Sequence, residues 1–308
     1  MEKYPLVSVI IPTYSRPDNI CRAIDSVLRQ TYPNIEIIVV DDNGEGTECQ
    51  IMTEKQLKQY IDKNLIIYIK HFVNKNGSAA RNTGYRVCKG EYVNFLDDDD
   101  ILLPNKISKQ VEILQRYTEY GATYCNSIIK RVQNLTNRLL VVNTVYRESG
   151  DLCKEYLLDK VKFNTSTILF KRSVIDELNG FDESFKRHQD YEFMVRFFRN
   201  EKIICTGVEA LSEYDTTMRR TFISNGEREL AIKEKFLNTF ENDFIKRGIR
   251  DEIFHFLWYV GAFTALQSQN YKYFQLMYTK SAQYGRCSIW EYSRLLKCFF
   301  VGLLKNRK

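Results

Sequence analysis

Short runs of β-branched residues alternate with stretches of helical period through the first hundred residues, and this constrains the fold more than any other feature of the sequence. LVSVIIP reads as a strand and DNICRAIDSVLRQT as a helix; IEIIVVDD, EKQLKQYIDK, LIIYIKH, SAARNTGYRVCKG and YVNFLDDDD continue the alternation. Such a pattern predicts an α/β fold with a mostly parallel central sheet covered by helices on both faces, because parallel neighbours are joined by crossovers. Ligands of these sheets sit beyond the carboxyl ends of the strands. Three of the four predicted strands end in polar residues, PTYSRP, DDNGEG and DDDD, which should gather on one rim.

With 308 residues, 44% hydrophobic and 27% charged, the chain has the composition of an ordinary globular protein. Its net charge of +6 is spread without a basic block, so nothing points to a nucleic-acid partner. Eight cysteines are scattered without a C-x-x-C pair beside only three histidines. A zinc site or a disulfide framework is therefore not expected, and free thiols in a reducing cytoplasm are. The apolar run before Pro12 is too short for a signal peptide or a membrane span, which predicts a cytoplasmic protein and leaves the sequons at Asn134 and Asn164 without meaning for glycosylation. All five prolines precede residue 105 and both tryptophans follow residue 257. From about residue 220 onward the period is helical and rich in aromatic residues, so an α/β domain over 1–220 and a helical extension over 221–308 are predicted.

Two acidic clusters close predicted strands: Asp41 and Asp42, and the run Asp97 to Asp100. Any single aspartate there could cap a turn or helix. Carboxylates this crowded oppose one another's ionisation unless a cation lies between them. Mg²⁺ or Mn²⁺, held by one or two carboxylates and by phosphate oxygens, suits the pattern. A calcium loop does not, because counting from Asp97 puts Leu102 and Ser108 where glycine and glutamate are required. Neither G-x-G-x-x-G after the first strand nor a P-loop occurs. Phosphates would then be met by the metal, by backbone amides or by basic side chains. In NKNGSAARNTG, Gly77 and Ser78 lead into a helix whose N-terminus attracts anions, with Arg81 near its first turn. A solvated helix residue is the other reading of Arg81.

The ordered set VSVIIPTYSRPDNICRAIDSVLRQTYPNIEIIVVDDNG, NGSAARNTG, GEYVNFLDDDDILLP, GFDESF and QDYEFMVR resembles the family 2 glycosyltransferases of the GT-A fold, over roughly residues 5 to 200. The resemblance implies an inverting enzyme with a nucleotide-sugar donor, its nucleotide-binding half at about 1–104 and its acceptor-binding half at about 105–220. It implies that Pro12, Thr13 and Tyr14 contact base and ribose, and that Asp42 accepts a hydrogen bond from the base, uracil being the commonest case. Arg81 would lie near the nucleotide. The DDDD run takes the D-x-D place, where ribose and metal roles fall among Asp97, Asp98 and Asp99, with Asp99 the first choice for metal. Asp100 is assigned to capping the segment ILLPNKISKQ. The base falls on Asp190, preceded by Gln189 where relatives often carry an acid. His188 is a rival base or a loop residue, and Glu192 either orients the acceptor or begins a helix.

The basic and aromatic tail IWEYSRLLKCFFVGLLKNRK suits an anionic membrane surface, which would point to a lipid-linked saccharide acceptor and a peripheral location at the cell membrane. Packing against the catalytic domain or a second subunit suits it as well. Two rival functions are a non-catalytic nucleotide-sugar-binding scaffold of the same fold and a nucleotidyltransferase. The second would show a Gly-rich basic loop after its first strand, and PTYSRPDN is not one.

Overall fold

A computed structural model describes residues 4–133, 138–215 and 226–305. Asn134, Arg307 and Lys308 lie outside them. The chain divides into two units, Met1–Cys153 with Val161–Arg219, and Lys154–Lys160 with Arg220–Lys308.

The first unit opens with the alternation that the sequence predicts: β1 (Val7–Thr13), α1 (Ile20–Leu28), β2 (Ile35–Asp41), α2 (Glu48–Asp62), β3 (Ile67–Lys70), α3 (Gly77–Val87) and β4 (Tyr92–Phe95). These four strands pair in parallel in the order β3-β2-β1-β4. Helix α2 starts earlier than EKQLKQYIDK suggests because Thr47 caps it, its Oγ1 accepting from the Gln50 N–H at 3.2 Å. There follow β5 (Asp100–Leu102), α4 (Lys106–Arg116), β6 (Ala122–Gln133), β7 (Arg138–Asn143), α5 (Cys153–Leu157), which apart from Cys153 belongs to the second unit, a 3₁₀ turn at Thr165–Thr167, β8 (Ile168–Lys171), α6 (Arg172–Leu178), α7 (Gln189–Phe197) and β9 (Ile203–Asp215). Here the sheet becomes mixed. Strand β8 runs antiparallel between β4 and β6, β9 is parallel to β6, and β5 is antiparallel to β9 at the edge.

Both faces of β1 are covered. Val7, Val9 and Ile11 belong to a core shared with Ile24, Leu57 and Leu114. On the other face α3 lies so close that a Cβ on Gly84 would stand 2.4 Å from Cγ2 of Ile10. A phenylalanine cluster fills the second half of the unit, with Phe170 edge-on to Phe193 at 5.5 Å and Phe181 stacked on Phe193 at 4.3 Å.

Lys106, fully buried at the start of α4, donates to Gln110 Oε1 at 2.7 Å. Burial disfavours its charge and brings its pKa down to about 8. The penalty of burying the ammonium is present in full below that value and fades as pH rises toward the unfolded value of about 10.4. In melting curves from pH 7 to 10, wild type should therefore gain stability relative to Lys106→Met above pH 8. A constant difference across that range would refute this.

The second unit contains α8 (Gly226–Lys246), α9 (Arg250–Gln267), α10 (Tyr271–Ala282) and α11 (Ile289–Lys305). Phe236, Phe240, Phe244 and Phe254 join α8 to α9, while Tyr259, Leu266 and Leu295 join α9 to α11. Ile289, Trp290 and Leu296 of α11 are exposed. Among the described residues no helix is long and apolar enough to cross a membrane.

Candidate active site

The strand read from YVNFLDDDD stops at Phe95, and the acidic run forms a turn closed by the Asp100 N–H donating to the Asp97 carbonyl at 3.0 Å. A turn fans out side chains that a strand would only alternate. Carboxylate oxygens of Asp97, Asp99 and Asp100 come within 4.8 Å of one another. Asp98 turns instead toward the end of β1, where it accepts from Thr13 Oγ1 at 2.7 Å. The Arg16 guanidinium spans Asp98 at 2.6 Å and Asp99 at 2.5 Å. Burial pushes the Asp98 carboxyl up to about 7, against the pull of Arg16 and Thr13. The all-oxygen donor set of Asp97, Asp99 and Asp100 fits a hard divalent ion such as Mg²⁺ or Mn²⁺.

Asp100 is not the helix cap expected of it. Its backbone pairs with Tyr214 of β9, and α4 begins only at Lys106, behind Asn105. Its Oδ2 accepts from Asn164 Nδ2 at 3.3 Å, while Asn164 itself caps the 3₁₀ turn. The short strand β5 thus carries Asp100 into the acidic cluster.

Arg81, on α3, is buried beneath this turn. Its Nη2 donates to Asp97 Oδ1 at 2.7 Å and its Nη1 to Gln189 Oε1 at 3.1 Å, with the Phe181 ring 5.4 Å away. Burial works against its charge, but Asp97 and Asp190 outweigh it and raise the guanidinium pKa above its ordinary value. A solvated helix residue, the other reading of Arg81, is therefore excluded. The N-terminus of α3 is less open to anions than NKNGSAARNTG suggests. Asn76, at φ 96°, accepts from the N–H groups of Ser78 and Ala79 at 2.9 and 3.3 Å, engaging two of the donors an anion would meet.

At the end of β2, Asp42 is buried and surrounded by donors. His71 Nδ1 (2.7 Å), Asn74 Nδ2 (2.8 Å) and the N–H groups of Lys75 (2.8 Å) and Asn76 (2.9 Å) all meet its carboxylate. It fastens the loop that leads into α3. Pro12 is half-buried within β1, and Tyr14 just beyond is 52% exposed.

Asp190 stands in the first turn of α7, behind His188, whose backbone is left-handed at φ 58°. It is half-buried, and close enough for its charge to act on Arg81. Glu192 is turned into the protein. It is 2% exposed, ion-paired to Arg196 in the same helix, and accepts from the Asp182 N–H at 3.3 Å.

Three residues of this site lie outside the sequence-based assignment. Arg16 belongs to PTYSRP, and a cation four residues after a rim proline was the available signal. Gln189 ties α7 to α3 through Arg81 and Asn76. Asn82 clamps the GFDESF loop, donating to Phe181 O and Glu183 Oε1, both at 2.9 Å, and accepting from the Phe181 N–H at 2.9 Å. These last two depend on contacts about a hundred residues apart, which no local pattern carries.

The family described as glycosyl transferase family 2 matches residues 8–178, more than half of the chain. An uncharacterized glycosyltransferase of Rickettsia prowazekii is 34% identical over 203 residues, 65% of this chain, and the match spans only 60% of that relative. The UDP-Glc:alpha-D-GlcNAc-diphosphoundecaprenol beta-1,3-glucosyltransferase WfgD of Escherichia coli is 25% identical over 78% of this chain and 88% of that protein. Among solved structures, the mannosyltransferase PcManGT from Pyrobaculum calidifontis in complex with GDP-Man and Mn²⁺ superposes with a TM-score of 0.59 at 17% identity, over 98% of this chain and 81% of that one. TarS 1–349 of S. aureus in complex with UDP gives 0.56 at 14% identity, over 92% and 93%. At such identities the likeness shows the fold, GT-A, and not the substrates.

Proposed function

Since the chain belongs to glycosyl transferase family 2, a family of sugar-transferring enzymes, we propose that it moves a sugar, with inversion, from a UDP-sugar to a hydroxyl of a saccharide or lipid-linked saccharide during assembly of a bacterial surface polysaccharide. One observation carries this reading: through Arg81 the acidic turn after β4 meets the first turn of α7, so a leaving-group site and a carboxylate base share one buried connection. The UDP complex of TarS and the diphosphoundecaprenol-linked acceptor in the name of WfgD support the choice of donor and acceptor class.

In this reading residues 1–104 hold the donor and 105–220 the acceptor. Pro12, Thr13 and Tyr14 lie along base and ribose. Asp42 serves the base indirectly, by setting the loop before α3. Asp98 stays with Thr13 and Arg16 on the ribose side. A divalent ion held by Asp97, Asp99 and Asp100 would supply neutralising charge for the departing diphosphate. Arg81 adds fixed positive charge at the same place, and Arg16 a movable one. Asp190 takes the proton from the attacking hydroxyl as that oxygen becomes acidic late in the displacement.

Purified protein incubated with a panel of nucleotide sugars and Mn²⁺ should show a raised melting temperature with its donor and release nucleoside diphosphate when acceptor is added. Binding without release for every donor and acceptor tried would favour the scaffold reading. The exposed Ile289, Trp290 and Leu296 support a peripheral position on a membrane, with contact to a second copy of the chain as the other use of that face. Trp290→Ala should then float less with anionic liposomes than wild type, and equal flotation removes the membrane contact.

A further inference from the structure

In the helical unit, His255 of α9, Cys287 between α10 and α11, and Glu291 in the first turn of α11 bring a ring nitrogen, a sulfur and a carboxylate oxygen within 4.8 Å of one another. The imidazole is oriented from behind. Ser281 Oγ donates its hydrogen to the His255 backbone carbonyl at 2.9 Å, and then presents a lone pair to Nδ1 at 3.0 Å, beside its own carbonyl oxygen at 3.1 Å. Both neighbours of Nδ1 accept, so Nδ1 carries the hydrogen and Nε2 the lone pair. That Nε2 atom is buried and has no hydrogen-bond partner among the described residues. Glu291 Oε2 stands 3.7 Å from it, beyond hydrogen-bond reach. Two nitrogen or oxygen ligands on a tetrahedral ion with bonds of about 2.0 to 2.2 Å lie about 3.3 to 3.6 Å apart, close to that separation. Gly285 lets the connection close over the ring, since a Cβ there would stand 3.0 Å from His255 Cγ.

Glu291 is also held by its helix: the Ser288 N–H and Oγ donate to its Oε2 at 2.7 and 2.9 Å, and the Glu291 N–H donates back to Ser288 Oγ at 3.2 Å. This capping box fixes the carboxylate that faces the imidazole. His255 and Glu291 side chains are each 14% exposed, so the group is shielded but reachable.

We propose that His255 Nε2, Cys287 Sγ and Glu291 bind a zinc-class divalent ion, with a water at the fourth position, and that the ion ties α9 and the α10–α11 connection to the start of α11. Mixed nitrogen, sulfur and oxygen donors suit Zn²⁺, whereas the acidic turn of the first unit offers only oxygen. The ligands are too widely spaced along the chain for the sequence to have signalled them.

Full-length protein stripped of metal by chelation and titrated with Co²⁺ should develop the intense near-ultraviolet absorption of thiolate ligation at one equivalent, and Zn²⁺ should abolish it. The band should persist in Asp99→Asn, which alters only the acidic turn, and vanish in Cys287→Ser. His255→Gln, which keeps the thiol, should weaken binding by about tenfold or more. Zn²⁺ should raise the melting temperature of wild type and not of Cys287→Ser. Folded wild type without a thiolate band, or a band surviving in folded Cys287→Ser, would mean that the cluster is a helix cap and an ion pair only. Should Cys287→Ser fail to fold, unchanged Co²⁺ affinity in His255→Gln overturns the proposal equally.

Discussion

Asp190→Asn should lower transfer by about 10²- to 10⁴-fold, the range typical for loss of a positioned general base, while donor affinity stays within a factor of a few. Asparagine keeps the shape of the side chain and its place in the first turn of α7 but removes the proton acceptor. Arg81 keeps its contacts to Asp97 and Gln189, so the donor side should remain assembled. The measurement is turnover with saturating acceptor beside donor binding by calorimetry. Wild-type turnover in the variant would falsify the assigned base, and equal loss of binding and turnover would make Asp190 a structural residue. His188 is the rival. Its left-handed backbone sets the entry into α7, and His188→Gln should cost far less activity than Asp190→Asn.

The second large effect belongs to the acidic turn. Asp99→Asn should reduce turnover about a hundredfold or more, the scale on which loss of a single charge-stabilising group acts, and should raise the Mn²⁺ concentration needed for half-maximal rate. Asp98→Asn should leave that metal dependence nearly unchanged. The reason is geometric: Asp99 converges with Asp97 and Asp100, whereas Asp98 is turned to Thr13 and Arg16. Chelation should abolish wild-type turnover and added Mn²⁺ restore it. If Asp98→Asn and Asp99→Asn shift the metal dependence alike, the division of roles within the turn is wrong.

Much of the first unit was legible because its signals are local. Valine and isoleucine runs mark β1 to β3 and the aromatic YVNF marks β4, and the helical periods between them leave parallel pairing as the natural arrangement. Strand β5 was not legible. Three residues carry no period, and only their pairing with β9, more than a hundred residues away, makes them a strand. Asp100 was misread for that reason, as a cap for a helix that begins six residues later. Asp97, Asp99 and Asp190 could be picked out by charge and order, and Arg81 by its place in α3. Arg16 offered only a weak signal, its place four residues after a rim proline, because the use of an exposed arginine beside a strand end depends on which aspartate the turn aims at it. Asp42 carries a long-range part that its type and place do not reveal: four protein donors meet its carboxylate.

The two arginines of the rim differ in what they are free to do. The Arg81 side chain is 8% exposed and is held at both ends of its guanidinium, so it cannot follow a ligand without breaking the joint between α3, the acidic turn and α7. The Arg16 side chain is 42% exposed and rests on two carboxylates. In the proposed reaction a cation taking its place would free it to swing outward with the diphosphate. One arginine is a rivet and the other a hinge pin that slides. An exposed side chain changes rotamer within picoseconds to nanoseconds, so exchange of partners at Arg16 would be far faster than the chemical step, while the frame around Arg81 stays still.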